Sequence, residues 1–347
     1  MDWNWFDSVA NGGTDEWTLC QNLGKDKAAQ VLTDHWNNWL KESDVAVMAQ
    51  YGINMLRVPV GFWAFIDVWD SEPYVTTGQK DQLARLMEYV NKYNMYIILD
   101  LHGMPGSQNG QDHSGHAGEI GFFKTPNLQR GLQTIQAMVD WAKASPYSSR
   151  IAAIECANEP HPYINDRWPR LVQFYQDSYK IINAGGFAMM FHDGFQGLDK
   201  WSGYFTNGEN AIIDLHPYWA FSGSQTQDKV TGEVCALGSQ YASFHLPVFA
   251  GEFSVAATDV QGSQWWYQRF YETQYKQWLQ SAGGTFWAYN SLFVLDSLSG
   301  KLMNYIQIQS RRQSALVVDG PRWQQRDPHR PHRCERLCLL KNETKLG

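Results

Sequence analysis

No uninterrupted apolar run approaches the roughly 18 residues that a membrane-crossing helix needs, so no span is expected. The opening residues, MDWNWFDSVANGG, combine neither a basic segment nor an apolar core, and no signal peptide is expected in this chain. A phosphate loop of the GxxxxGK type is missing, which leaves phosphate binding unsupported. Cysteine is scarce and unpatterned. Cys20, Cys156, Cys235, Cys334 and Cys338 show no metal-ligand spacing, and an odd number fixes no redox compartment. Positive charge is in deficit, with 28 Lys+Arg against 35 Asp+Glu and a formal net charge of -7, which argues against a nucleic-acid partner.

What is present divides in two. From residue 301 onward the chain holds 10 Lys+Arg against 4 Asp+Glu, and its Arg, Gln, Pro and His follow no sustained period of 2 or 3.6. The expected organisation is therefore one core-forming domain over 1–295 and a divergent basic tail over 296–347 that builds no core.

Within 1–295, an irregular aromatic start leads into a helical pattern over 26–50, closed by Gly52. Seven short apolar runs follow, at 53–61, 95–103, 151–160, 187–195, 211–219, 246–254 and 284–290. Amphipathic segments such as 80–93, 127–143 and 264–281 lie between them. Continuous apolar runs alternating with helices indicate parallel strands covered on both faces. Each run ends in polar residues: Arg57, His102, Glu159, His192 with Asp193, His216, Glu252, and the segment from Trp287 to Asn290. A doubly wound sheet would gather such residues at one switch point, whereas a ring of them at successive strand ends belongs to a (β/α)8 barrel. The fold expected is thus an α/β TIM barrel that lacks its first strand, with the chain beginning inside the first βα loop.

Glu159 and Glu252 stand out at two of these strand ends. Either alone could be a salt-bridged or capping carboxylate. Two together at a barrel mouth fit glycoside hydrolysis, which needs two carboxyl groups facing one glycosidic bond. Asn158 is placed to donate to a sugar 2-hydroxyl, and Arg57 to hold a nearby carboxylate ionised. His102, His216 and Tyr218 offer further donors, although each singly would also suit a satisfied buried polar residue. No HxH or HxxxH spacing unites the histidines into a metal site, and no cofactor is expected. Among the 16 Trp, Trp287 beside Phe286 and Tyr289 could give a sugar ring a flat apolar floor. The long Gly-rich polar stretch HGMPGSQNGQDHSGHAGEIGF follows a strand end, where barrels place substrate loops.

The ordered set LRVPVGFWAF, DLHGMPGSQNGQDHSG, ANEP, FHDGFQG, DLHPYW, AGEF and FWAY resembles glycoside hydrolase family 5, and within it the fungal exo-β-1,3-glucanases, or glucan 1,3-β-glucosidases. The resemblance implies Glu159 as acid/base and Glu252 as nucleophile. It places Arg57, His102, Asn158, His216, Tyr218 and Trp287 around the sugar, and Phe221 at the substrate entrance. It further implies a monomer acting on β-glucan outside the cell or in the wall. Gln111 stands where the yeast-type enzymes have a second entrance aromatic, and the acid supplied by the family's first strand is absent. Retaining hydrolysis follows as the expectation, with Glu159 kept protonated by neighbouring negative charge. A hydrolase of β-1,6-glucan, another β-glycan or a glycolipid, and an inactive carbohydrate-binding remnant, are the alternatives.

Overall fold

The computed structural model describes residues 3–289 apart from 165, 207 and 261. Seven strands lie in one sheet in sequence order, each parallel to the next: β1 (Met55–Gly61), β2 (Tyr96–Gly103), β3 (Ile151–Glu155), β4 (Ala188–His192), β5 (Ala211–Leu215), β6 (Val248–Phe253) and β7 (Gly284–Phe286). The sheet curls until β7 approaches β1, giving a nearly closed barrel. Helices return the chain from the end of each strand to the start of the next: α5 (Gln79–Lys92), α6 (Thr125–Ala144), α7 (Arg167–Ala184), the short α8 (Leu198–Trp201), α9 (Gln227–Ser243) and α10 (Gln264–Trp278). Four helices precede β1: α1 (Trp3–Val9), α2 (Glu16–Leu23), α3 (Lys25–Trp39) and α4 (Glu42–Gln50).

Two expectations change at this end of the chain. The start is helical rather than irregular, because Asp15 caps α2 by accepting from Thr18 N at 2.7 Å. The single helix expected over 26–50 is two, since Leu40 turns to extended backbone (φ -129, ψ 120) and Asp44 caps the new start by accepting from Lys41 N at 2.8 Å. Strands are also shorter than the apolar runs: the run at 151–160 leaves the sheet after Glu155, and the run at 211–219 after Leu215. Seven strands are present among the described residues, as expected, while Asn290 and the tail expected over 296–347 lie outside them.

The period-2 alternation of the strands builds two cores and a polar column. On β2, Ile97, Leu99 and Leu101 face the helices, while Ile98 packs inside the barrel with Ala153, Ala188, Met190, Ile212 and Phe249. Continuing inward on that parity come Asp100 and His102, both buried. The same two-residue step on β5 runs from Ile212 through Asp214 to His216. The barrel floor is thus apolar and its upper layers are charged. On β6 the parity breaks: Phe249 faces inward but Phe253 packs in the outer core, and the ladder to β7 shifts between Ala250 and Phe253. This irregularity brings Glu252 to the mouth, the effect a bulge has at a barrel rim.

Candidate active site

Arg57, from β1, is the hub of the mouth. Its Nε and Nη2 donate to Glu155 at 2.7 and 3.0 Å, its Nη1 to Glu252 Oε1 at 2.9 Å, and Nη2 also to Asn158 Oδ1 at 2.8 Å. Asp100 Oδ2 lies 3.1 Å from the same Nη2. Burial by itself would weaken this cation, but Asp100, Glu155 and Glu252 outweigh it and hold the guanidinium charged far above its ordinary range.

Two Asp-Leu-His steps supply the rest of the charged layer. His102 Nδ1 is 2.7 Å from Asp100 Oδ2, and its ring is parallel to Trp287 with centroids 5.8 Å apart. His216 Nε2 is 3.0 Å from Asp214 Oδ2, and Asp214 Oδ1 accepts from Gly251 N at 2.6 Å. Gly251 has no side chain because none fits: a Cβ there would meet Asp214 Oδ1 at 2.2 Å.

Glu159 stands four residues beyond β3 with φ 45, a left-handed conformation unusual for a residue with a side chain and one that functional sites often impose. The turn is pinned by Gln108, whose Nε2 donates to Asn158 O at 2.9 Å and to His102 O at 2.6 Å, and by Asn109, which donates to Glu159 O at 3.1 Å. His216 Nδ1 makes a very short hydrogen bond to Glu159 Oε1 and lies 3.6 Å from Glu252 Oε2. Glu252 Oε2 in turn accepts from the Tyr218 hydroxyl at 2.9 Å. Through the shared nitrogen, Glu159 Oε1 and Glu252 Oε2 are at most about 6 Å apart, so the two carboxylates face one imidazole.

The proton on the expected acid is held differently from the expectation. Burial raises Glu159, but the hydrogen bond and charge of His216 override it and leave the carboxyl well below its ordinary range. Burial would lower His216, and Glu252, Asp214 and Glu159 together raise it well above the ordinary histidine range. Negative charge near Glu159 therefore acts through the imidazole, and the proton available to the acid is shared by a Glu159–His216 pair. His192, at the end of β4, is pushed down to about 3 by burial and by His216, so it stays neutral. Asp193 serves the turn, accepting from Phe195 N and Gly197 N at 2.9 and 2.7 Å.

The sequence-expected residues Arg57, His102, Asn158, Glu159, His216, Tyr218 and Glu252 are connected by these contacts, and Trp287 walls the site beside His102. Phe221 is not among the hydrogen-bonded groups: it is 86% exposed and meets the Tyr218 ring edge-on at 5.6 Å. Asp100, Glu155, Gln108, Asn109 and His113 were not foreseen. The repeated Asp-Leu-His could have revealed the two buried aspartates, because a strand points residues i and i+2 to one side. Potential ligand atoms of Glu159, His192 and His216, and of Glu155, Asp214 and His216, lie within 4.8 Å of one another. Both sets depend on His216, whose two ring nitrogens already face carboxylates, so the arrangement is explained as a proton network.

Comparison with known proteins bears on this geometry. The family model described as Cellulase (glycosyl hydrolase family 5) matches residues 21–291. The chain is 36% identical over 261 residues to glucan 1,3-beta-glucosidase 1 of Schizosaccharomyces pombe, covering 73% of this chain and 63% of that protein. It is 36% identical over 254 residues to the glucan 1,3-beta-glucosidase of Schwanniomyces occidentalis, covering 71% and 59%. The chain thus spans about three fifths of the length of these curated relatives. Among solved structures, a rutinosidase from Aspergillus niger superposes with a TM-score of 0.80 at 22% identity, covering 89% of this chain and 93% of that one. An endo-beta-1,4-glucanase from Xanthomonas axonopodis pv. citri gives 0.56 at 17% identity, covering 78% and 90%. These two likenesses show the barrel fold.

Proposed function

Because the chain belongs to the cellulase family, glycosyl hydrolase family 5, we propose that it is a retaining β-glycosidase that releases glucose from the ends of β-1,3-glucan. The observation carrying this reading is that Glu159 and Glu252 each bring a carboxylate oxygen to His216, so that two carboxyl groups share one mouth and can face one glycosidic bond. The substrate is taken from the names of the two fungal relatives. We further propose that the enzyme works outside the cell or in the wall, where such a glucan would be met, and as a monomer. Among the described residues no helix is long and apolar enough to cross a membrane.

In the first half-reaction Glu252 Oε attacks the anomeric carbon as the bond to the leaving oxygen breaks. Arg57 and Tyr218 hold one oxygen each and so aim the carboxylate. The proton of the Glu159–His216 pair passes to the leaving oxygen through Glu159. In the second half-reaction Glu159 takes a proton from water, the water oxygen attacks the anomeric carbon, and Glu252 is released. Asn158, whose Oδ1 is fixed by Arg57, turns its amide toward His102 and the sugar side of the mouth. Trp287, 36% exposed, offers its ring to the glucose, and the outlying Phe221 offers a face to the next unit.

The test is hydrolysis of laminarin with the first-released sugar observed by proton NMR. The β anomer of glucose should appear first. Glu159→Ala should lose about 10²–10⁴-fold in turnover, and Glu252→Ala at least as much. Release of the α anomer, or near-normal turnover in either variant, would refute the assignment.

A further inference from the structure

The loop after β2 carries an imidazole that the proposed reaction leaves unused. His113 sits in the single turn Asp112–Ser114, its side chain 34% exposed, with Nε2 3.5 Å from Glu159 Oε2. That is the oxygen His216 leaves free, since His216 holds Oε1. His102 packs edge-on against the His113 ring, with centroids 5.3 Å apart.

The loop is fastened on both sides of His113. Toward the barrel, Gln108 and Asn109 tie it to the Asn158–Glu159 turn. Toward the outside, α2 braces it: Trp17 N donates to Gly115 O at 2.9 Å, Ala117 N donates to Asp15 Oδ2 at 2.8 Å, and Trp17 stacks on His116 at 4.0 Å. A loop anchored so closely before and after residue 113 keeps the imidazole beside the carboxylate.

We propose that His113 is a positioning residue for Glu159, which it withdraws from the leaving group on becoming protonated. The proposal rests on the reading of Glu159 as acid/base. At 3.5 Å a neutral ring is at the outer limit of hydrogen bonding and leaves Oε2 open to the glycosidic oxygen. A charged ring donates to Oε2, both carboxylate oxygens are then engaged by histidines, and the acid cannot reach the substrate.

The groups facing His113 are His102 from β2, Glu159 beyond β3, Glu252 from β6, and Asp112 beside it. Burial is the largest influence and lowers His113, His102 adds to this, and the three carboxylates oppose it, leaving it below the ordinary histidine value of 6.5. His113 is therefore neutral at and above neutrality and charges on acidification, so its effect falls on the acid limb of the activity profile.

The experiment measures kcat/KM on laminarin against pH for wild type and His113→Asn, each normalised to its own maximum. The acid limb should move down by about half a unit or more in the variant. An unmoved limb overturns the proposal. Should the Asn variant fail to fold, His113→Gln serves the same comparison. A second measurement needs no turnover: the His113 ring is titrated by NMR in wild type and in Glu159→Gln. Its pKa should fall when the facing charge is removed, and an unchanged value overturns the proposal. Absence of glucan hydrolysis by wild type would count against the proposed function, whereas the NMR titration tests the His113–Glu159 coupling by itself.

Discussion

Arg57 Nη1 donates to Glu252 Oε1 at 2.9 Å across 195 positions of sequence, so the first strand of the sheet aims a carboxylate carried by the sixth. The same guanidinium also answers Glu155 and Asp100. Removing it strands two fully buried acids. Arg57→Met is expected to cost about 3–5 kcal/mol by urea denaturation. Arg57→Lys should recover only part of this, because a point charge cannot serve Glu155, Glu252 and Asn158 together. A Lys variant as stable and active as wild type would show that the fork is dispensable.

Tyr218 tests the aiming of Glu252 without disturbing charge. Its hydroxyl donates to Glu252 Oε2, and Tyr218→Phe removes only that donor. A loss of about 10–100-fold in kcat/KM is expected, equivalent to ~1.4–2.7 kcal/mol of transition-state stabilisation. Thermal unfolding should be nearly unchanged. A large fall in Tm with intact kcat/KM would reassign Tyr218 to folding.

Glu16, on α2, makes stability depend on pH. Burial pushes its carboxyl up to about 7, against the hydrogen bond it accepts from Trp63 Nε1 at 2.8 Å. The folded value lies above the ordinary 4.5, so the folded state prefers the protonated form. That contribution is complete below the unfolded value and is lost as pH rises through 7. Glu16→Gln keeps an acceptor for Trp63 and removes the charge. Its Tm should exceed wild type at pH 8 by a few degrees and approach it at pH 4, in calorimetric scans. Equal Tm differences at both values would contradict the buried titration.

Gly251 tests how tightly the charged layer is packed. Gly251→Ala should force Asp214 from its place, with a cost in the overpacking range of about 1–3 kcal/mol and disproportionate loss of turnover. Because Asp214 holds His216, the basic limb of the activity profile should also shift in the variant. A variant with wild-type kinetics would mean that the close approach is not required.

The parts of this molecule legible in sequence were those governed by local pattern. Apolar runs at 95–103 and 211–219 announced strands, and Glu159 and Glu252 were visible because charge at a strand end breaks a simple rule. Asp100 and Asp214 were hidden inside those same runs: in a barrel the inward side of a strand is apolar at the floor and charged near the mouth, which no single period expresses. The orientation of Glu252 depends on a shift in the β6–β7 ladder, a property of two strands together. His113 was submerged in a Gly- and Ser-rich stretch that also suits an unconstrained loop. Its partner Glu159 is 46 positions away, and the braces from α2 come from nearly a hundred positions upstream. The break at Leu40 escaped notice because apolar spacing continues through it on both sides.

One guanidinium serving three strands has a consequence for how such a barrel can change. Arg57, Glu155, Asn158 and Glu252 constrain one another so closely that an exchange at any one leaves an unanswered charge or dipole at the other three. New specificities are therefore accessible at the periphery, at positions such as Gln111 and Phe221, which no member of that quartet touches. A change at the centre must therefore be answered at several positions together.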